Sequence, residues 1–385
     1  MHSPSDRTVL LTFAAGHMAN DWAVGAIWLV APALAVALDL GPSEVGLLLT
    51  IYGIGGAFAY LPAGLLADRL SARGGLLLAT FWWVAIGHLA ASLAPGYWSF
   101  ALVMAVAIMG DAAWHPVATG YLVQRFPQRR AQVLGIHAMG GTIGAEVLAP
   151  LGVGAVLAVA DWRTALQVAA LPALIMGVVF IFIAPRLKPL PARSTNLDIK
   201  GLLAPWKSRT GVRLMVTMVL YNMAAIAVVA MMPLYLQVDV GLGPMAVALL
   251  FAGTLLLGSL AQPWAGQLSD RYGRRAPILG GLGIGAGAAL FAGLANDANL
   301  VIAGLIAAGA ILTAIRSVVL AAAIDITRER ESATLALAFT VLDGVGAVGA
   351  LLAGIAAEAD LSYAFVLAAV LSGGSCIVGA GLRKT

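Results

Sequence analysis

The chain has 385 residues, 61% of them hydrophobic and 10% charged, with a net charge of +4 and a mean hydropathy of +0.95. Ordinary soluble domains run at roughly 45–50% apolar and about 25% charged, so this chain has too few charges to cover a water-facing surface. A soluble globular enzyme, a disordered chain and a nucleic-acid binder are thereby excluded, and one cysteine excludes a disulfide scaffold and a thiolate metal cluster.

A helix needs about 20 residues to cross roughly 30 Å of hydrocarbon. Twelve apolar segments of that size follow one another: 8–37, 45–67, 74–94, 98–123, 131–157, 164–184, 211–237, 244–268, 276–295, 299–324, 333–357 and 361–382. They are long and unalternating, which predicts helices rather than barrel strands, because lipid offers no partner to unpaired backbone groups. The first segment is too long for a cleavable signal, contains Asp21 and has no clear cleavage site, so it is expected to stay as the first span. Gly140, Gly141 and Gly144 in the fifth segment, and Gly344, Gly346 and Gly349 in the eleventh, are the small residues through which membrane helices approach closely. The fold class expected is an all-α polytopic membrane protein. A basic, proline-containing stretch, 185–210, divides residues 1–184 from residues 211–385 into two sets of six helices.

Placing both termini inside puts 20 of the 22 basic residues on one side; the exceptions are Arg163, outside, and Arg316, within a span. The inner group includes Arg193, Lys200, Arg328, Arg330, Arg383 and Lys384, whereas the outer joints carry Asp39, Glu44, Asp161, Asp239, Asp297, Glu358 and Asp360. This is the positive-inside asymmetry, so the basic residues set topology and do not form a nucleic-acid patch.

The joint after the second segment reads G-L-L-A-D-R-L-S-A-R (Gly64 to Arg73), and the joint after the eighth reads G-Q-L-S-D-R-Y-G-R-R (Gly266 to Arg275), 202 residues later. Gly64/Gly266, Asp68/Asp270, Arg69/Arg271 and Arg73/Arg275 coincide. Glycine permits close packing at a helix end, and an aspartate there accepts charge-assisted hydrogen bonds from neighbouring arginines or meets a helix N-terminus. These residues, with Gly273 and Arg274, are expected to form a cytoplasmic gate.

The duplicated joint resembles the signature loop of the major facilitator superfamily, roughly G-x-x-x-D-R-x-G-R-[RK]. The second copy matches in full; in the first, Ser71 and Ala72 replace the glycine and the arginine. The resemblance implies two pseudo-symmetric six-helix bundles, a central cavity and rocking alternating access, with a small-molecule substrate and membrane lipid as partners and a functional monomer. The strings G-H-M-A-N-D-W (Gly16 to Trp22), A-A-W-H-P-V-A (Ala112 to Ala118) and H-A-M-G-G-T-I-G-A-E-V-L-A-P (His137 to Pro150) are similar to the fosmidomycin-resistance branch of bacterial exporters. That resemblance implies a proton-coupled drug antiporter in a bacterial inner membrane. The fourth segment lacks the arginine familiar in many drug–proton antiporters, its basic-type residue being His115.

Five charged residues lie deep within spans: Asp21, Asp111, Glu146, Arg316 and Asp343. Such residues normally face protein or a water-filled cavity and mark function. His17 with Asp21, and Asp111 with His115, are four apart, which puts each pair on one helix face. A His–carboxylate pair in a cavity exchanges protons near neutral pH. Asp21, Asp111, His115, His17 and Glu146 are therefore the expected proton-coupling residues, with the alternative that the pairs are structural ties between the first and fourth helices. Asn20 is a further polar candidate for substrate or for a neighbouring helix, and Pro116 is expected to kink the fourth segment. His137 reads as a gate or interfacial residue and His88 as structural. Arg316 and Asp343 read as an ion pair or as a site for an anionic substrate. Trp22, Trp114 and Tyr221 fall on segments that line the cavity in the superfamily; Trp28, Tyr52, Tyr60, Tyr235 and Trp264 are further cavity candidates, the alternative for each being a lipid-facing or core position.

The expected function is proton-driven export of a small organic compound or drug, protons being the coupling ion. The alternatives are an uptake symporter or facilitator for a small, possibly anionic metabolite, and a non-transporting receptor or scaffold. No ATP-binding loop, activated serine or H-E-x-x-H spacing is present, so neither catalysis, a cofactor nor a metal site is expected.

Overall fold

The computed structural model describes residues 5–192, 203–327 and 337–382. Arg193, Lys200, Arg328, Arg330, Arg383 and Lys384, and the start of the eleventh segment at 333, lie outside the described residues. Among the described residues, eleven helices are long and apolar enough to cross a membrane: α1 (Asp6–Leu38), α2 (Pro42–Arg69), α3 (Gly74–Ser92), α4 (Tyr97–Arg125), α5 (Gln132–Leu157), α6 (Trp162–Arg186), α7 (Arg209–Val238), α8 (Pro244–Tyr272), α9 (Arg275–Leu294), α10 (Ala298–Ile326) and α11 (Leu337–Ala357). A shorter apolar helix, α12 (Tyr363–Gly379), completes the set of twelve. The protein is an all-α polytopic membrane protein.

Short polar side chains start the helices where the sequence has its joints. Ser5 caps α1 by accepting from the Thr8 amide, and Ser208 caps α7 by accepting from the Gly211 amide. Asp161 caps α6, accepting from the Thr164 amide and hydroxyl, and these bonds hold its carboxyl below the usual aspartate value. Large apolar side chains point outward along the spans, among them Phe58, Leu102, Ile175 and Ile377. That is the reverse of a soluble surface and is what lipid requires. Trp264 is likewise 64% exposed. At the end of α3 the Arg163 guanidinium donates to the Ser92 carbonyl and lies 4.2 Å over the Trp162 ring, as an interfacial anchor would.

The chain packs as two compact units, Met1–Ala33 with Ile51–Leu197, and Leu34–Thr50 with Asp198–Thr385. In the first, Phe13, Phe81, Trp114 and Phe180 form an aromatic core with ring centroids 4.7–6.1 Å apart. α5 lies directly on α1: a Cβ at Gly140 or Gly144 would strike the carbonyl oxygens of Ala14 and Met18. His88 is fully buried and ties α3 to α1, its ring nitrogens 2.8 Å from the Val84 carbonyl and 3.0 Å from the Ala23 carbonyl.

The second unit repeats the device, Gly349 of α11 abutting the Met223 carbonyl of α7. Ser372 and Ser375 donate from α12 to the carbonyls of Leu282 and Thr217. Residues 34–50 group with this unit because the start of α2 meets α11 closely. Gly46 faces the Ala350 carbonyl, the Thr50 hydroxyl donates to the Ala347 carbonyl at 2.7 Å, and the Ser43 amide donates to Glu358 at 3.0 Å.

Candidate functional site

Three helices of the first unit bring the ionisable residues together. α1 supplies His17 and Asp21, α4 supplies Asp111 and His115, and α5 supplies His137. Each i,i+4 pair is formed: His17 Nε2 lies 3.3 Å from Asp21 Oδ2, and His115 Nε2 lies 3.3 Å from Asp111 Oδ2. The two pairs also meet. The His17 and His115 rings stand edge to face with centroids 5.0 Å apart, and ligand-type atoms of Asp21 and His115 lie within 4.8 Å of each other. Two carboxyl groups in one buried histidine cluster repel when both are ionised; a proton or a cation in the cluster relieves the repulsion.

His137, which reads from the sequence as a gate or interfacial residue, packs inside the first unit. It is buried, and its ring stacks on His17 at 4.1 Å. The His137 carbonyl accepts from His17 Nδ1 at 2.8 Å, and His137 Nδ1 faces the Phe13 carbonyl at 3.3 Å. This intimacy depends on Gly141, where a Cβ would come within 2.6 Å of the His17 ring. Tyr60 of α2 looks onto His115 with ring centroids 6.1 Å apart. α4 runs through Pro116 as one helix, and the Thr119 hydroxyl donates back to the His115 carbonyl at 2.5 Å.

The other predicted residues take varied places. Asn20 is fully buried with no hydrogen-bond partner for either amide atom among the described residues. Trp22 packs on α5, where a Cβ at Gly152 would meet its ring at 2.7 Å. Trp114 has no exposed surface and belongs to the aromatic core, which leaves none of it to a solute. Tyr221 is likewise buried and donates to the Leu312 carbonyl at 2.8 Å. Arg316 and Asp343 form an ion pair at 3.4 Å, with Asn222 donating nearby to the Leu342 carbonyl at 2.5 Å. Glu146 and Asp343 each sit in a single π-helical turn, Ile143–Leu148 in α5 and Thr340–Val345 in α11. Such turns cluster at functional sites. Nothing in the residue pattern announces them.

The two signature joints share a geometry that the sequence match only half discloses. In the second, Arg274 bonds Asp270 at 2.5 Å, Asp325 at 2.9 Å and the Ser269 hydroxyl at 3.0 Å, and the Asp325 bond foremost holds its guanidinium above the ordinary arginine value. In the first, Arg73 lies 3.6 Å from Asp68 while the Gln124 amide oxygen accepts from its Nη atoms at 3.0 and 3.1 Å. Arg73 therefore plays the part of Arg274, not of Arg275, whose guanidinium donates instead to the Ala380 carbonyl. Gly273, at φ 80°, makes the tighter turn that brings Arg274 onto Asp270; Ser71 stands at that point in the first copy. Arg271 lies 5.3 Å from the Tyr272 ring centroid. Gly64 has only Pro116 nearby, at 3.4 Å, and Gly266 has open space.

Arg73 is 1% exposed, whereas Asp270 is 72% exposed on its side chain. Arg73→Ala is expected to cost about 1.5–3 kcal/mol, since it removes charged hydrogen bonds from a buried setting. Arg274→Ala is expected to cost under about 1 kcal/mol, and only this second loss should shrink as salt is raised. Thermal unfolding of both variants in detergent, at low and high salt, checks the contrast.

A family model described as Major Facilitator Superfamily matches residues 13–259 and again residues 214–385. The chain belongs to the Major Facilitator Superfamily. Its members are membrane transporters and not catalytic enzymes, and this superfamily transporter moves a small molecule across lipid. The fold agrees with solved structures. A bacterial homolog to the human lysosomal transporter Spinster, solved in an inward-facing and occupied conformation, superposes with a TM-score of 0.83 at 17% identity, covering 99% of this chain and 97% of that one. The nucleoside transporter NupG superposes with a TM-score of 0.76 at 14% identity, covering 97% of each. In sequence, the chain is 28% identical over 285 residues to an uncharacterised 38 kDa protein in a 23S RNA operon of Thermoproteus tenax, covering 73% of this chain and 69% of that protein.

Proposed function

We propose that this superfamily transporter is a proton-coupled antiporter of the fosmidomycin-resistance type, exporting a small organic compound across a bacterial cytoplasmic membrane with both termini inside. The observation that carries the proposal is the convergence of His17–Asp21 and Asp111–His115 inside the first unit. Asp21 and Asp111 take up the coupling protons, His115 and His17 share them, and Glu146 in its π turn is a further carrier. Protonation neutralises the carboxyl pair and favours one orientation of the transporter; substrate favours the other. Asn20 and Trp22 are the substrate contacts proposed beside the cluster. The signature joints, Asp68 with Arg73 and Asp270 with Arg274, serve as the cytoplasmic latch, and the chain works as a monomer.

The rival is uptake of an anionic metabolite drawn by Arg316. Its support is an arginine within a span, but the Asp343 contact already neutralises that charge. Proteoliposomes loaded with fosmidomycin separate the two, with a pH gradient imposed in each direction. An antiporter accumulates fosmidomycin on the acidic side, whereas a symporter accumulates it on the alkaline side. Accumulation that ignores the gradient would contradict both.

A further inference from the structure

In the first unit, ligand-type atoms of His17, Asp21 and His115 all lie within 4.8 Å of one another. The His17–Asp21 and His115–Asp111 separations are both 3.3 Å. Nitrogen and oxygen ligands held at roughly 2.0–2.1 Å by a tetrahedral ion stand about 3.3 Å apart. Each pair thus already spans one edge of a coordination shell.

The hydrogen positions point the same way. A carbonyl oxygen only accepts, so the bond from His17 Nδ1 to the His137 carbonyl places the ring hydrogen on Nδ1. In the neutral ring, Nε2 then turns a lone pair toward a carboxylate oxygen, and neither atom can donate to the other. His17 is 7% exposed and Asp111 is 3% exposed; His17 Nε2, Asp21 Oδ1 and Asp111 Oδ1 are buried without a hydrogen-bond partner among the described residues. A histidine whose far nitrogen donates to a backbone carbonyl while the near one faces acidic oxygens is oriented as metal-ligating imidazoles are. The stacked His137 ring holds the imidazole in place. Gly141 leaves the remaining side bare: a Cβ there would lie 2.6 Å from His17 Nε2 and 2.7 Å from Asp21 Oδ2, filling the cradle.

We propose that His17, Asp21 and His115, with Asp111 as a further carboxylate, form a binding site for a divalent first-row transition-metal cation such as Zn2+ or Co2+. Imidazole nitrogen mixed with carboxylate oxygen suits these ions, whereas Mg2+ and Ca2+ prefer all-oxygen shells. Two carboxylates and two neutral imidazoles carry two negative charges, which one divalent cation cancels; an uncancelled charge in a membrane-spanning unit is costly. The site runs against the expectation of no metal, because its ligands come from two helices and the spacing within each helix does not show that the two pairs meet. It also goes beyond the transport proposal, since binding is read without any gradient and either can fail while the other stands.

The test uses the full chain in detergent, purified through a tag that contains no histidine. Co2+ is titrated and followed by its visible absorption, then displaced with Zn2+. One Co2+ per chain is expected, with tetrahedral-type bands, displaced by Zn2+ and not by Mg2+. His17→Gln, Asp21→Asn and His115→Gln should each weaken binding by at least about tenfold. His115 is the most exposed of the three, with 28% of its side chain accessible, so its variant reads the site if the buried substitutions impair folding. Gly141→Ala should weaken binding while leaving every ligand in the sequence. No binding at about millimolar Co2+ or Zn2+, binding that survives all three ligand substitutions, or equal displacement by Mg2+ would overturn the site.

Discussion

Asp111→Asn is expected to abolish gradient-driven accumulation while fosmidomycin exchange without a gradient persists. The substitution keeps the volume and the hydrogen-bonding shape of a residue only 3% exposed, so packing around it is preserved. An amide cannot take up a proton in this range, so the cluster loses the charge change that couples it to the gradient. Accumulation should fall at least tenfold, the equivalent of about 1.4 kcal/mol of coupling. Asp21→Asn should do the same, because its carboxyl meets His17 and lies within 4.8 Å of the ligand atom of His115. The double variant should be no worse than either single one, since groups that act as one unit are not additive. Accumulation assays in proteoliposomes, paired with counterflow, read both effects. Retained accumulation in Asp111→Asn would remove the residue from the coupling machinery.

The second large effect is on folding. Gly140→Ala and Gly144→Ala would each drive a Cβ into a backbone carbonyl of α1, Ala14 for the first and Met18 for the second. Backbone inside a packed helix pair cannot swing aside as a long side chain can. α1 and α5 must therefore separate, at a cost of about 1–3 kcal/mol each. Separation would also pull the His137 ring from His17, so coupling should weaken in whatever protein still folds. Gly135 of the same helix is the control, with nothing within 4 Å of its added Cβ. There alanine should be neutral or slightly stabilising, because it is the better helix former by up to about 1 kcal/mol. Thermal midpoints measured in detergent should rank Gly135→Ala near the parent and the other two well below it. Equal midpoints would contradict the close contact of α1 and α5.

Much of the fold was legible along the chain. Apolar length marks the spans, because crossing lipid depends on one dimension only, and the duplicated joint announces two related halves. Within the site, the spacings of His17 to Asp21 and of Asp111 to His115 were readable, because four residues make one turn of one helix. That the two pairs meet was not readable. It depends on how α1 lies against α4 and α5, which is set by glycines whose role shows only once their neighbours are placed. The stacking of His137 on His17 is hidden for the same reason: depth along a segment says nothing about which ring packs on it. Trp114 and Tyr221 show the converse. Segment identity suggested a cavity, yet helix rotation turns both rings into the interior of their own unit. Gln124 and Asp325 went unnoticed because a polar residue near a helix end is ordinary until an arginine from the signature joint reaches it. Identity alignment paired Arg73 with Arg275, whereas the turn at Gly273 shifts the partner by one residue.

The measurement that bears most directly on coupling through the His–carboxylate cluster is proton displacement on ligand binding. Fosmidomycin would be added to the purified full chain in weakly buffered detergent solution, with a pH indicator reporting protons released and calorimetry reporting binding. The wild type should release protons as it binds and lose affinity as pH falls, and both responses should vanish in Asp21→Asn and Asp111→Asn. Binding that displaces no proton and keeps one affinity across neutral pH would contradict coupling through these two carboxyls.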